Sequence, residues 1–263
     1  MFANTNNSVF VIDKLTEQHI KALISHELQV LRIPNFISQE ACRTISQGLK
    51  STGYKDYLNA PSVGRIGMSY FETGLKPDII DLYFSTAIEN INVLRKSCYP
   101  YPCPIDTLRC ILDETWNAGC YLQTLYGKKM FVGLSRSLEP GVSLLAHHDM
   151  FGRHAPDTSE ANSLISQFGI NVYIDVPEIG GELAMWMNEI SDEEFLKLRG
   201  NFYGVPLELL GDPDFKVKPK NGDLILFNAR KMHAVLAGKG VDRLTISAFF
   251  GYRGDQNPLT VWS

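Results

Sequence analysis

At residue 121 the periodicity of this chain changes, and that change limits its folds more than any other feature. Before it, apolar residues recur at helical spacing. Leu15-Thr16-Glu17 leads into an amphipathic stretch to Leu28, and Val30 to Pro34 reads as a short strand closed by proline. Ser38 has the place and chemistry of an N-cap for a helix to about Leu49. Pro77 to Cys98 carries Ile79, Ile80, Leu82, Tyr83, Ala87, Ile88, Ile91 and Leu94 on a helical repeat, and Pro104 opens a second run to Trp116.

After residue 121 short alternating segments follow one another between turn residues. Tyr121–Tyr126 and Met130–Leu138 flank Gly127-Lys128-Lys129, a hairpin signal, and Pro140-Gly141 precedes Ser143–Met150. Gly169–Val176 alternates, and Gly180-Gly181 turns into Glu182–Met187 at positive φ. Asn221-Gly222 precedes Asp223–Phe227, then Lys231–Leu236 and Asp242–Gly251, with one polar insertion holding a helix over Ser191–Arg199. Seven or eight closely spaced strands after a helical half predict an α+β fold. It is an antiparallel two-sheet jelly roll (a double-stranded β-helix, cupin-like) with the N-terminal helices packed outside the sheets. No Pro- or Ser-rich linker divides the chain. Residues 1–263 read as one domain, 1–120 mainly helical support and 121–263 the jelly-roll core.

Composition excludes partners more than it names them. A net charge of −4 with 21% charged residues lacks the basic face that nucleic acid requires. No apolar run has the ~20 residues of a membrane helix, and MFANTNNSVFVIDKLTEQH has no basic segment before a long apolar one. A cytoplasmic protein with a small-molecule partner is expected, and a homodimer is the one protein assembly left open. Cys42, Cys98, Cys103, Cys110 and Cys120 are odd in number and form no CxxC, so buried reduced thiols are expected.

Chemistry concentrates in AHHDMFGRH. On a strand, residues i and i+2 share a face, so His147 and Asp149 point together while His148 points away as a packing residue. An imidazole beside a carboxylate is two-thirds of a facial His₂-carboxylate site, which suits Fe(II) by mixing nitrogen and oxygen donors and leaving adjacent positions open. The pair alone arises by chance in about one chain in three of this composition. His233, the one histidine after 154, follows GDLILFNARKM and is the candidate third donor. Ten residues on, Arg243 shares a strand face with Thr245 and Ser247, where a guanidinium can fork onto a carboxylate.

His147-x-Asp149, His233 and Arg243 in a jelly-roll pattern resemble the Fe(II)/2-oxoglutarate-dependent oxygenases. VPEIGGELAMW followed by GDLILFNARKMHAV, with the final Trp262-Ser263, is similar to a carrier-independent subgroup of hydroxylases and halogenases acting on free amino acids, nucleotides or indole alkaloids. The resemblance covers residues 120–263 well and the helical half less specifically. It implies Fe(II) on His147, Asp149 and His233, 2-oxoglutarate paired with Arg243, and O₂ as oxidant, with succinate and CO₂ released. Asp149 fills the place that halogenases of this type vacate for chloride, so hydroxylation of a small free metabolite is expected, an amino acid first. Desaturation stays open. The alternatives are an alkaloid or nucleotide oxygenase, and a non-redox metal-binding isomerase or sensor of cupin type, which has no use for Arg243.

Further residues have two readings each. Asn171, Tyr173 and Asp175 alternate along one strand, so that face lines the cavity, with Asn171 or Tyr173 on the cosubstrate, or is an ordinary polar sheet face. Thr245 joins them as a cofactor-side candidate. Arg136, expected beside the ligand strand, meets a substrate anion or a structural acid. His154 follows in a polar segment suited to a lid, as a substrate contact or a solvated side chain. Trp116, Trp186 and Trp262 are expected to pack.

Overall fold

The computed structural model describes residues 9–263 except 59, 61 and 189. Side-chain caps start the helices where the sequence places them. Thr16 Oγ1 accepts from the His19 backbone N–H ahead of α1 (Glu17–Ile24), and Ser38 Oγ accepts from Ala41 N–H ahead of α2 (Gln39–Thr52). Proline occupies the first turn of α3 (Pro77–Cys98) and of α4 (Pro104–Thr115), where its missing N–H leaves no bond unmade. All four bury one apolar stripe against a common core.

The N-terminal part is not only helical support outside the sheets. It contributes β1 (Val9–Val11), β2 (Val30–Ile33), β3 (Lys55–Asp56) and β4 (Val63–Ile66), all in one ten-stranded sheet. After α4 come β5 (Cys120–Leu122), the small hairpin β6 (Thr124–Leu125) and β7 (Lys128–Lys129), β8 (Leu134–Leu138) and β9 (Leu144–His147). Two single-turn helices, α5 (Phe151–His154) and α6 (Ser159–Asn162), lead to β10 (Ser166–Asp175) and β11 (Leu183–Trp186). Helix α7 (Asp192–Arg199) precedes β12 (Phe215–Val217), β13 (Leu224–Asn228), β14 (Met232–Val235), β15 (Arg243–Tyr252) and β16 (Leu259–Trp262).

The large sheet runs β1-β2-β13-β10-β15-β8-β4-β3, with β16 joining β15 to β5; the second sheet runs β12-β11-β14-β9. The fold is thus a mixed α/β one built on two substantial sheets. Strict alternation sorts the large sheet's side chains. Leu224, Leu226, Ile170, Val172, Leu244 and Ile246 face the helices, whereas Val30, Tyr173, Ile225 and Phe227 face the second sheet and pack on its Leu183, Met185 and Val217. The second sheet's other face carries Ala146, Ala184, Trp186, Met232 and Ala234 under Phe195 of α7.

One glycine shapes the interior at the site. A Cβ on Gly169 of β10 would lie 2.5 Å from the Phe227 ring. That ring meets His233 edge-on with centroids 4.9 Å apart. Gly169→Ala is therefore expected to displace Phe227 toward His233 and to destabilise the fold by about 1–3 kcal/mol, read from the denaturant midpoint. An unchanged midpoint would mean the ring has somewhere else to go.

Trp116 and Trp186 are packing residues, as expected, each with its indole N–H bonded to a backbone carbonyl. The five cysteines are unpaired, but not all are buried: Cys110 is exposed and Cys120 half-buried. Cys110 lies mid-way along α4 on the face away from its buried stripe, and Cys120 opens β5.

Candidate metal and cosubstrate site

Strand register brings the two histidines together. Met185, His233 and His147 stand opposite one another across β11, β14 and β9. Residues directly opposite in an antiparallel pair share a face, so both imidazoles point between the sheets. His147 Nδ1–H donates to the Leu145 carbonyl at 2.7 Å, and His233 Nδ1–H donates to that of Lys231 at 2.9 Å. A carbonyl can only accept, which fixes the proton on Nδ1 and leaves each Nε2 lone pair open to a metal.

Asp149 arrives by another route than the alternation suggests. Strand β9 ends at His147, so Asp149 lies beyond it, held by its backbone N–H donating to the Ala229 carbonyl at 2.8 Å. Its Oδ2 lies 3.3 Å from His233 Nε2 and 4.0 Å from His147 Nε2. One donor atom from each of His147, Asp149 and His233 falls within a 4.8 Å cluster. Two neutral imidazole nitrogens and one carboxylate fit a divalent iron.

The protonation states agree with that fit. Burial, with the His233 charge adding to it, pushes His147 down to about 4 against the pull of Asp149. Burial acts to raise the Asp149 carboxyl, but the close approach of His233 and the positive charge that His147, His233 and Arg136 bring when protonated outweigh it and hold it well below the usual carboxylate range. His148 and His154 are also pushed down to about 4, chiefly by burial. An unfolded chain takes up these histidine protons near pH 6.5 and the folded chain only near 4. Stability of the metal-free protein therefore falls as pH drops through that window, by up to about 3 kcal/mol per histidine. Melting temperature followed from pH 7 to 4 should drop by at least about 5 °C, and a flat profile would contradict burial of these rings.

His147 and Asp149 line a cavity of ≈ 350 Å³, together with Arg136, His148, Arg153 and His154. His148 is a packing residue, its ring 4.5 Å from that of Phe195. Arg153 bonds both His148 and Asp192, and its guanidinium lies 4.9 Å over the Phe195 ring, tying α5 to the start of α7 beside the cavity. His154 is not the solvated side chain of one reading: it is half-buried, meets Phe71 edge-on at 5.1 Å and forms part of the wall. Trp262 packs on Phe151 as expected and also reaches the cavity. Arg136 neighbours the ligand strand only in sequence. It lies on β8 in the large sheet, opposite Thr245 of β15 and Arg65 of β4, and so faces the histidines from the other sheet.

Arg243, Tyr173, Asn171 and Thr245 form a polar patch on the inner face of the large sheet and are not among that cavity's walls. Arg243 is 4% exposed. Its Nε–H donates to the Gly181 carbonyl at 3.2 Å, presented by a turn in which Gly180 and Gly181 take φ of 77° and 74°, as the sequence predicts. Its guanidinium lies 5.0 Å from the Tyr173 ring centre. Arg243 Nη2 and the Tyr173 hydroxyl are both buried without a hydrogen-bond partner. Two orphaned donors side by side fit a carboxylate, such as the distal one of 2-oxoglutarate. Asn171 Oδ1 accepts from Ser247 Oγ at 2.7 Å, and Thr245 is buried between Arg136 and Tyr173 in register. Asp175 leaves the shared face: a bulge after Tyr173 turns it toward α2, where it accepts from Ser46 and Lys50.

Several walls carry no signal in the sequence. Tyr57, Tyr70 and Phe71 come from the N-terminal part, and Phe195 and Tyr203 from the polar insertion. Tyr203 accepts the Leu145 backbone N–H at 2.8 Å and so steadies β9. A cluster of aromatics before α3 was the only available hint.

No protein-family model matches the chain. It is similar to an L-gamma-glutamyl-L-propargylglycine hydroxylase of Streptantibioticus cattleyicolor, 26% identical over 94% of this chain and 93% of that one. It is 30% identical to an L-isoleucine 3(1)-dioxygenase of Pantoea ananatis over 52% of this chain and 48% of the relative. Among solved structures, an N-substituted L-amino acid dioxygenase of Burkholderia ambifaria in complex with alpha-KG superposes with a TM-score of 0.63. That match has 15% identity and covers 94% of this chain and 90% of the other. The structural likeness places the chain in the same fold, and the named relatives agree with the oxygenase resemblance read from His147, Asp149, His233 and Arg243.

Proposed function

We propose that this protein is an Fe(II)/2-oxoglutarate-dependent dioxygenase. It hydroxylates an unactivated C–H bond of a small metabolite, an amino acid first, with release of succinate and CO₂. The observation that carries this reading is the convergence of two imidazole Nε2 atoms and one carboxylate within 4.8 Å at the wall of a cavity. The hydroxylase and dioxygenase relatives and the alpha-KG complex of the fold neighbour support it. The two sheets are read as a double-stranded β-helix, and residues 1–263 as one oxygenase domain. Among the described residues no helix is long and apolar enough to cross a membrane.

His147, His233 and Asp149 would hold Fe(II), and Arg243 with Tyr173 would receive the distal carboxylate of 2-oxoglutarate. Bound iron and cosubstrate supply the O₂-dependent oxidation. The chain's own part is to fix the donors, to neutralise the cosubstrate's charge in a buried place, and to keep water from the cavity. Asp149 occupies the position that chloride would need, which favours hydroxylation over halogenation. A sensor or isomerase would leave the buried Arg243 without a task.

Anaerobic protein with Fe(II) and 2-oxoglutarate should show a metal-to-ligand charge-transfer band. Under air, the right amino acid should stimulate succinate release and gain one oxygen by mass spectrometry. Absence of both the band and succinate would overturn the reading.

A further inference from the structure

Of the three donors, Asp149 has the least local support. His147 ends β9 and His233 lies inside β14, and each ring is fixed through Nδ1 to a carbonyl. Asp149 stands beyond the end of β9, and the close partners of its carboxylate are those two imidazoles themselves. A bound metal would take the imidazole Nε2 atoms, so these contacts are not what aims the carboxylate. Its aim has to come from the backbone that carries it.

That backbone is clamped at two alternate residues, and both clamps lead to Gln167. Asp149 N–H donates to the Ala229 carbonyl at 2.8 Å, and Ala229 N–H in turn donates to the Gln167 carbonyl at 3.2 Å. Two residues after Asp149, Phe151 N–H donates to the Gln167 side chain, to Oε1, at 2.9 Å. Phe151 opens α5, so its N–H has no acceptor within the helix, and Gln167 supplies one. Water does not compete for this bond: Gln167 is 2% exposed and Phe151 4%. The acceptor is itself held on both sides. Gln167 pairs with Gly251 of β15, and the next residue, Phe168, pairs with Asn228 of β13, just before Ala229. Alternation puts Gln167 on the inner face of β10 with Gly169 and Tyr173. That one face therefore holds the Asp149 turn, makes room for the Phe227 ring that meets His233, and carries Tyr173 beside Arg243.

Resting on the oxygenase reading above, we propose that Gln167 is a positioning residue for the metal centre, its side-chain oxygen setting where the Asp149 carboxylate stands. It is no donor itself and acts through the backbone between Phe151 and Asp149. Without the acceptor the turn is held on one side only. A drift of about 1 Å is then enough to take a carboxylate oxygen off a metal bond of about 2 Å.

The test is a cycle of Gln167→Met and Asp149→Ala. It is read by Co(II) titration of the metal-free protein, followed by visible absorption with no cosubstrate present. Methionine matches glutamine in length and lacks the acceptor. Gln167→Met should bind Co(II) about ten- to hundredfold more weakly than wild type. In the Asp149→Ala background the same change should cost less than about threefold, because the group it positions is gone. Gln167→Glu keeps the acceptor and should stay within about threefold of wild type. Should the bare Phe151 N–H unfold Gln167→Met, Gln167→Asn, where a water can take the bond, should show the same pattern. An equal loss with and without Asp149 would overturn the proposal, since Gln167 would then act on the histidines or on the fold. So would a Gln167→Met that binds Co(II) like wild type, or a Gln167→Glu that loses as much as Gln167→Met. Wild type that takes up no Co(II) would overturn the metal site and this role together. The expected cycle, with no charge-transfer band or succinate from the loaded wild type, would sink the oxygenase reading and leave the positioning role standing.

Discussion

Asp149→Ala will abolish hydroxylation, with turnover falling at least about a thousandfold, and the purified variant will hold little iron. The side chain is the one anion among the three converging donors, so its loss leaves a neutral two-histidine site for a dication. The fold itself does not depend on it. Asp149 is tied into the structure by its backbone N–H to Ala229, which alanine keeps. Its carboxylate is only partly buried, so alanine in its place leaves no closed cavity in the core and costs the metal-free protein only the local interactions that hold the carboxylate ionised. The metal-free variant should thus melt within a few degrees of wild type, about 3 °C at most. Iron content, melting temperature and succinate release measured together separate loss of the site from loss of the fold. Hydroxylation surviving in this variant would remove Asp149 from the donor set.

Legibility in the sequence followed the length of each element and the origin of each contact. Strands β10, β13, β14 and β15 are long enough, or sharply enough alternating, to be placed within a few residues, and the caps at Ser38 and Ser191 mark their helices. β1, β3 and β4 have two to four residues each, too few for a period to register, so the first part of the chain reads as helical although it supplies both edges of the large sheet. The donors were legible because a His-x-Asp pair and a distal histidine keep their meaning whatever the exact backbone. Asp149 nevertheless reaches the metal site from beyond the strand's end, where alternation no longer applies. Which sheet carries Arg136 was not legible, because consecutive strands β8 and β9 part company across the interior. The pairing of Arg65 with Glu72 joins residues seven apart across a turn and has no periodic signature.

Arg243→Ala should raise the 2-oxoglutarate concentration needed for half-maximal turnover at least about a hundredfold. Two charge-assisted hydrogen bonds to a carboxylate contribute about 1.5–3 kcal/mol each, and the lower end alone corresponds to that factor. The guanidinium is prepared for this role before any ligand arrives. Gly181 holds Nε, the Tyr173 ring supports the plane, and Nη2 is left buried with no partner. That orphaned donor costs stability in the ligand-free protein, and a carboxylate would satisfy it, so 2-oxoglutarate should raise the melting temperature of wild type but not of the variant. Burial also lowers the Arg243 pKa, with the charge of Arg136 adding to it, which is the direction an anion between the two sheets would relieve. Arg243→Lys restores a charge without the planar fork and without the Gly181 contact, so it should recover no more than about a tenth of the lost affinity. Tyr173→Phe should weaken 2-oxoglutarate by about tenfold, the scale of one hydrogen bond to a charged group. An unchanged 2-oxoglutarate requirement in Arg243→Ala would take Arg243 out of the cosubstrate site. Half-buried Arg136, which lines the cavity with His147 and Asp149, would then be the cation to test for that role.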